Sequence, residues 1–337
     1  MATSYSPKII TDGLVFMYDT NDGKSYKGEP TTNYGPASFG DWGTESTAER
    51  IATGNTFNGQ PTYNCRTVVG QSYRGIEKTI SGLRTAAGSS GTVTMSCMVR
   101  NNNATAYNMF AYIGHDFGSA RSIAANSDWQ KVQWTVNQSS MNNDYVEFRP
   151  YTNNANIYLE MTMPMVEVNK GHATQFVNGT RSATQGLIDR TGNTTIDISN
   201  ASFDSNAQMT FDGTDDDIDV GTGTSTSYQR TIEMVFKTNS LTSYTPLACY
   251  TRGGGQRVVR GKRMWLGFQS SKFQMHGWGT TDPASTTTIQ TGKYYHAVYA
   301  YDQTTKKHYI WINGLLENNE SLPIATLLPP ALLDLRA

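Results

Sequence analysis

Five aspartates fall within the stretch FDGTDDDIDV, at Asp212, Asp215, Asp216, Asp217 and Asp219. Acids this dense can hold a metal ion, work as acid and base, or cap a tight turn. Phe211, Ile218 and Val220 alternate with polar residues around Asp212-Gly213, the pattern of a two-strand corner whose aspartate closes the turn. Calcium takes six to eight oxygens, and Asp215, Asp216 and Asp217 are the candidates to supply some of them. The run lacks the Asp-x-Asp-x-Asp-Gly spacing and closing Glu of an EF-hand. The turn is therefore the expected role, calcium is the alternative, and no other cofactor is implied.

Hydrolysis of a glycosidic bond needs two carboxylates across the scissile bond. Glu160 and Glu167 lie in NIYLEMTMPMVEV, seven apart and hence on opposite faces of a regular strand. Glu233 in TIEMVFKT has Val235 and Thr238 where strand partners would stand. The histidines His115, His172, His276, His296 and His308 are scattered singly, each expected to sit beside a hydrogen-bond partner rather than a metal. RGGGQRVVRGKR, the densest positive patch, lacks the pattern of a phosphate loop and reads as a solvated hairpin loop, or else as a contact to an acidic glycan or a neighbouring subunit. Cys65, Cys97 and Cys249 are odd in number and form no CxxC, so reduced, buried thiols are expected.

Sugar binding usually needs an exposed aromatic face beside planar polar groups. MWLGFQSSKFQMHGWG supplies Trp278 between two glycines, with His276 and Gln274 nearby, and FGDWGTE supplies Trp42. These four are the carbohydrate-binding candidates, while Trp129 and Trp134 fit core strand positions. Core packing competes for every one of these rings.

Positioning such groups falls to short strands. The chain has 337 residues, 27 Lys+Arg against 28 Asp+Glu, only 16% charged residues, and 19 Tyr with 6 Trp. The balanced charge excludes a nucleic-acid-binding field, and no apolar run approaches the roughly 18 residues of a membrane span. The start has no basic region followed by an apolar stretch, so no signal peptide is expected and synthesis is placed in the cytoplasm. Period-two runs predict strands at 13–20, 91–100, 129–136, 144–152, 156–168, 231–238, 263–269, 294–302 and 307–314. YDQTTKKHYIWING reads as a hairpin followed by an Asn313-Gly314 turn. The fold class is all-β, with two sandwich domains.

TDGLVFMYDTNDGKSYKG, GLIDRTGNTTIDIS, MTFDGTDDDIDVG, TIEMVFKT and YYHAVYAYDQTTKKHYIWINGLL together resemble the laminin-G-like, concanavalin-A-like sandwiches of bacteriophage structural proteins. The resemblance implies a discontinuous sandwich: residues 1–30 give its first strand and 182–337 the remainder. Residues 31–181 form an insert, and SDWQKVQWTV with NIYLEMTMPMVEVNKGHATQFVNGTR resembles the jelly roll of carbohydrate-binding modules. The glucanase branch of the concanavalin-like fold carries Glu-x-Asp-x-x-Glu on one strand, which TIEMVFKT lacks. The chain also departs from the resemblance at its end: ESLPIATLLPPALLDLRA does not alternate.

What the resemblance implies is a non-enzymatic virion component of the decoration, fibre or tail-adhesin type. Its partners would be other virion proteins, further copies of itself (a trimer favoured) and a host-surface glycan. A glycan-degrading enzyme with loop-borne carboxylates is the alternative.

Overall fold

The computed structural model describes residues 13–45, 48–67, 75–152, 156–213, 215–220, 230–241, 244–250, 264–276, 282–321 and 333–336. The chain is all-β, with short helical turns such as Leu83–Ala87 as the helical elements among the described residues. Among the described residues no helix is long and apolar enough to cross a membrane. The chain divides into two compact units. One comprises the residues up to Lys27, Ala183–Ser202 and Met209 onward; the other, the module, is Gly28–Ser182 with Phe203–Gln208.

The module's strands include β1 (Thr31–Thr32), β2 (Ala48–Phe57), β3 (Gln60–Thr67), β4 (Ile76–Thr79), β5 (Thr92–Asn101), β6 (Tyr107–Ile113), β7 (Ser127–Asn137), β8 (Tyr145–Tyr151), β9 (Leu159–Val168) and β10 (Thr180–Arg181). One layer is ordered β2-β3-β9-β5-β7 and the other β6-β8-β4, with a single parallel bridge from Thr67 to Tyr151 between them. Strand alternation builds the core: Val93, Met95, Cys97 and Val99 of β5 are fully buried and belong to one apolar cluster. Trp134 of β7 meets Phe148 of β8 across the layers at 6.2 Å between ring centroids. Gly118 makes room for that tryptophan, since a Cβ there would stand 2.2 Å from its ring. β1 pairs with β10, Thr31 opposite Arg181, so the module's two ends leave side by side. Glu29 fastens them: its carboxylate pairs with Lys170 and, at 2.8 Å, with His172, while its carbonyl accepts from Arg181 Nε at 2.9 Å.

In the other unit the strands are β11 (Asp217–Asp219), β12 (Arg230–Lys237), β13 (Tyr244–Tyr250), β14 (Met264–Gln269), β15 (Lys272–His276), β16 (Ala284–Thr288), β17 (Tyr294–Asp302), β18 (Lys307–Ile312), β19 (Leu315–Asn318) and β20 (Leu333–Arg336). One sheet runs β11-β20-β13-β14-β15-β16 and the second β12-β17-β18-β19. Phe236 of β12 and Phe268 of β14 join them, ring centroids 5.1 Å apart. The expected hairpin is present, β17 paired with β18 from Ala297–Ile312 to Asp302–Lys307. Asn313 and Gly314 both hold positive φ, 50° and 82°, as a type I′ turn requires, and lead into β19.

The stretch expected as a first strand, residues 13–20, carries no strand ladder in its described part. It is held instead by single bonds to a distant segment. Met17 N donates to Asp189 Oδ1 at 3.0 Å, Arg190 N to Met17 O at 2.7 Å, and Ile188 N to Ser25 O at 2.9 Å. Asp189 is 3% exposed and also caps the turn through Thr191, Asn193 and Thr194. One aspartate thus takes the place of ladder pairing, which the period-two pattern did not reveal.

Candidate glycan-binding face of the module

The outward face of the β2-β3-β9-β5-β7 sheet carries a group of polar and aromatic side chains. Its composition follows from register. On β5 the residues opposite the core set are Thr94, Ser96, Met98 and Arg100. Their β9 partners are Glu167, Met165, Thr162 and Glu160. Pairing runs Thr162–Met98 and then Met165–Ser96, so β9 takes three steps where β5 takes two. Met163 absorbs the extra residue with φ 54°. The bulge reverses side-chain parity, and Glu160 and Glu167 share one face. Expectation placed them on opposite faces because a bulge is invisible to counting. They sit about 20 Å apart along the strand, beyond the separation of about 5–10 Å that glycoside hydrolysis needs.

The two carboxylates do different things. Glu167 is fully buried and takes bonds from Thr31 Oγ1 (2.6 Å), Thr174 Oγ1 (2.7 Å) and Thr174 N (3.1 Å). It anchors the segment after β9 over this end of the sheet, together with Lys131 Nζ on Ala173 O at 2.9 Å.

Glu160, 4% exposed, lies toward the other end of the strand. Arg100 meets it at 2.7 Å and Asn102 Nδ2 donates to it at 3.2 Å, both on Oε2. Its other oxygen, Oε1, is buried without a hydrogen-bond partner. On the neighbouring strand Arg66 binds Glu49 with one terminal nitrogen at 2.5 Å, while Nε and the second terminal nitrogen have no partner. The Arg66 guanidinium lies 4.8 Å from the centre of the Tyr158 ring, whose hydroxyl donates to Glu49 at 3.0 Å. Arg66 and then Tyr158, both hydrogen-bonding to Glu49, hold its carboxyl below the usual carboxylate range. Burial, then the bond to Glu49, pushes the Tyr158 phenol up.

Two further rings complete the face. Trp129 is half-buried on the outward side, stacked on Phe57 at 4.6 Å with 25° between planes, and the Arg100 guanidinium lies 5.0 Å from its ring centre. Phe57 sits at the tip of the β2–β3 hairpin and Trp129 on the opposite edge strand, so the hairpin tip reaches across the sheet. A shift in register between Ala52 and Thr56, with φ 79° at Gly54, gives the hairpin that bend. Trp129 was expected in the core with Trp134. The two are five apart, an odd spacing on one strand, and that spacing is the signal that one must face outward.

Other expected site residues lie elsewhere. Trp42 is a correction: it is 2% exposed, packed on Phe39 and Phe148, with Nε1 donating to Pro36 O at 3.0 Å. A ring enclosed on all sides has no face for a sugar, and its flanking glycine did not make it a loop-tip residue. Gln274 is also corrected: it is buried at 6% exposure and its amide donates to Gln269 Oε1. His276 shares the outward side of β15 and pairs with Asp282. Trp278 and the arginine-rich run 252–263 lie outside the described residues.

Among the aspartates, carboxylate oxygens of Asp212, Asp215 and Asp216 lie within 4.8 Å of one another. Asp216 is 4% exposed; its Oδ1 accepts from Ser202 Oγ at 2.7 Å and its Oδ2 from Asp212 N at 2.6 Å. Asp217 turns away to accept from Asn200 Nδ2 at 2.8 Å. The corner therefore offers three acids, one with both oxygens already engaged in turning the chain, against the six to eight oxygens of a calcium shell. The histidines behave as expected, His308 bonding the Tyr299 hydroxyl at 2.9 Å and His115 that of Tyr112 at 2.8 Å.

No family model matches the chain and no curated protein does. Among solved structures it is similar to the CBM22-1 xylan-binding domain of Paenibacillus barcinonensis Xyn10C, with 11% identity and a TM-score of 0.31 over 43% of this chain and 97% of that one. It is also similar to the carbohydrate-binding module CBM6cm-2 of Cellvibrio mixtus lichenase 5A, solved with cellotriose: 16% identity, TM-score 0.27, 42% of this chain and 99% of that one. The N-terminal CBM22-1–CBM22-2 tandem domain of the same Xyn10C matches 92% of this chain and 98% of its own at 9% identity and TM-score 0.32.

Proposed function

We propose that the protein is a non-enzymatic structural component of a bacteriophage particle, of the decoration, fibre or tail-adhesin type, whose module holds host-surface glycan on the outward face of the β2-β3-β9-β5-β7 sheet. The supporting observation is the group formed by Arg100, Glu160, Asn102 and Arg66 between the rings of Trp129 and Tyr158. Buried donors and acceptors without partners cost about 1–3 kcal/mol each, so a bound group that satisfies them is favoured. Sugar hydroxyls donate and accept, so they suit both the Glu160 oxygen and the Arg66 nitrogens, while ring faces take the apolar side of the pyranose.

The particle assignment rests on the sequence resemblance. Display at many copies would turn weak single sites into firm attachment through effective concentration. Binding of purified chain to host polysaccharide, with reducing ends assayed in the same tube, tests the proposal. Binding without release of reducing ends is expected; release of reducing ends sinks the non-enzymatic reading.

A further inference from the structure

Among the described residues, one sheet face of the second unit has no layer over it. Along β12 the residues alternate, Ile232, Met234 and Phe236 packing on the core while Thr231, Glu233, Val235 and Lys237 point away. Register places Val235 beside His296, and Glu233, Val298, Trp311 and Leu316 in one row across all four strands. Val235 is 70% exposed, Tyr294 71% and Leu316 49%. Tyr309 and Trp311 lie at the centre, ring planes 18° apart. Large apolar groups packed this closely on an outward face mark a docking surface rather than scattered surface residues.

We infer that this face is the contact between two copies of the chain, packed sheet on sheet about a twofold axis. The rim carries both signs. Glu233 binds His296 at 2.8 Å, and Lys237 stands 5.2 Å from the centre of the Tyr294 ring. A patch with an apolar middle and both charge signs on its rim offers the opposite charges that a self-complementary, isologous contact pairs. The four strands present about 450 Å² of sheet per copy. A pair therefore buries about 900 Å², below the roughly 1,200–2,000 Å² of stable interfaces and within the range of weak, transient ones. That area suits a reversible pair, reinforced wherever copies are held close together.

The contact stands apart from glycan binding, and one set of variants separates the two. Sedimentation equilibrium of the full chain, across a concentration series, is expected to show monomer and dimer. Val235→Asp and, independently, Leu316→Asp each weaken the pair at least about tenfold, while circular dichroism shows the fold retained. Tyr309→Phe, which keeps the ring, leaves the pair intact. A monomer at every concentration, or a dimer indifferent to both aspartates, overturns the inference. So does a monomer whose glycan binding is lost on Val235→Asp, which would make the face a ligand site. Loss of glycan binding by Arg100→Ala in a protein that still dimerises leaves the inference standing.

Discussion

Arg100 and Glu160 face each other across adjacent strands, 2.7 Å apart, and the second oxygen of Glu160 has no hydrogen-bond partner. Removing Arg100 leaves a buried carboxylate with only Asn102 for company, whereas Arg100→Lys restores charge without the planar fork. Arg100→Ala is expected to abolish glycan binding, and Arg100→Lys to weaken it about tenfold or more. Calorimetry with host polysaccharide reads both, and circular dichroism checks that the fold survives.

The two kinds of tryptophan should separate cleanly. Trp42 and Trp134 are each 2% exposed within the module core. Replacing either by Ala should cost about 3–5 kcal/mol of stability. Trp129→Ala should cost much less, because its ring is only half-buried, yet reduce binding more than any core variant that remains folded. Chemical denaturation beside a binding assay distinguishes the two outcomes.

Glu49 gives a pH signature. Its folded carboxyl titrates below the unfolded value, chiefly because Arg66 and then Tyr158 hydrogen-bond to it. A depressed carboxylate contributes stability that is present above the unfolded value and is lost as pH falls through the folded one. The window opens at about pH 4–5 and extends downward. Tyr158→Phe removes one of these bonds, so its thermal midpoint should fall less steeply with acid than that of the wild type. Carbon-13 titration of the Glu49 carboxyl should show its midpoint rising toward the ordinary value in the same variant.

Cys65 and Cys97 are free, and both are at most 1% exposed. Burial pushes both thiols up, so neither offers a thiolate at neutral pH. A thiol reagent should leave both untouched in the native protein and label them on unfolding. Rapid native labelling at either position would mean that the module core opens far more readily than its packing implies.

The sheets were largely legible in sequence because most strands alternate: β17 coincides with the period-two run at 294–302, and β5, β7 and β12 match theirs within one or two residues at most ends. β2 was not, because AERIATGNTF spends its length bending a polar hairpin over the sheet rather than covering a core. The site was hidden for a related reason. The bulge at Met163 changes which acids share a face, and no composition marks it. Glycine neighbours drew attention to Trp42, whose burial depends on Phe148 more than a hundred residues away.

The central claim is that the module's outward face holds glycan and does not cut it. The most direct measurement is nuclear magnetic resonance of the isotopically labelled full chain, titrated with host-surface polysaccharide. Shifts should concentrate on the indole of Trp129, the Asn102 amide and the Arg66 and Arg100 side chains, with no new reducing-end signals from the sugar. Shifts elsewhere that leave these four unmoved, or the steady appearance of reducing ends, would contradict it.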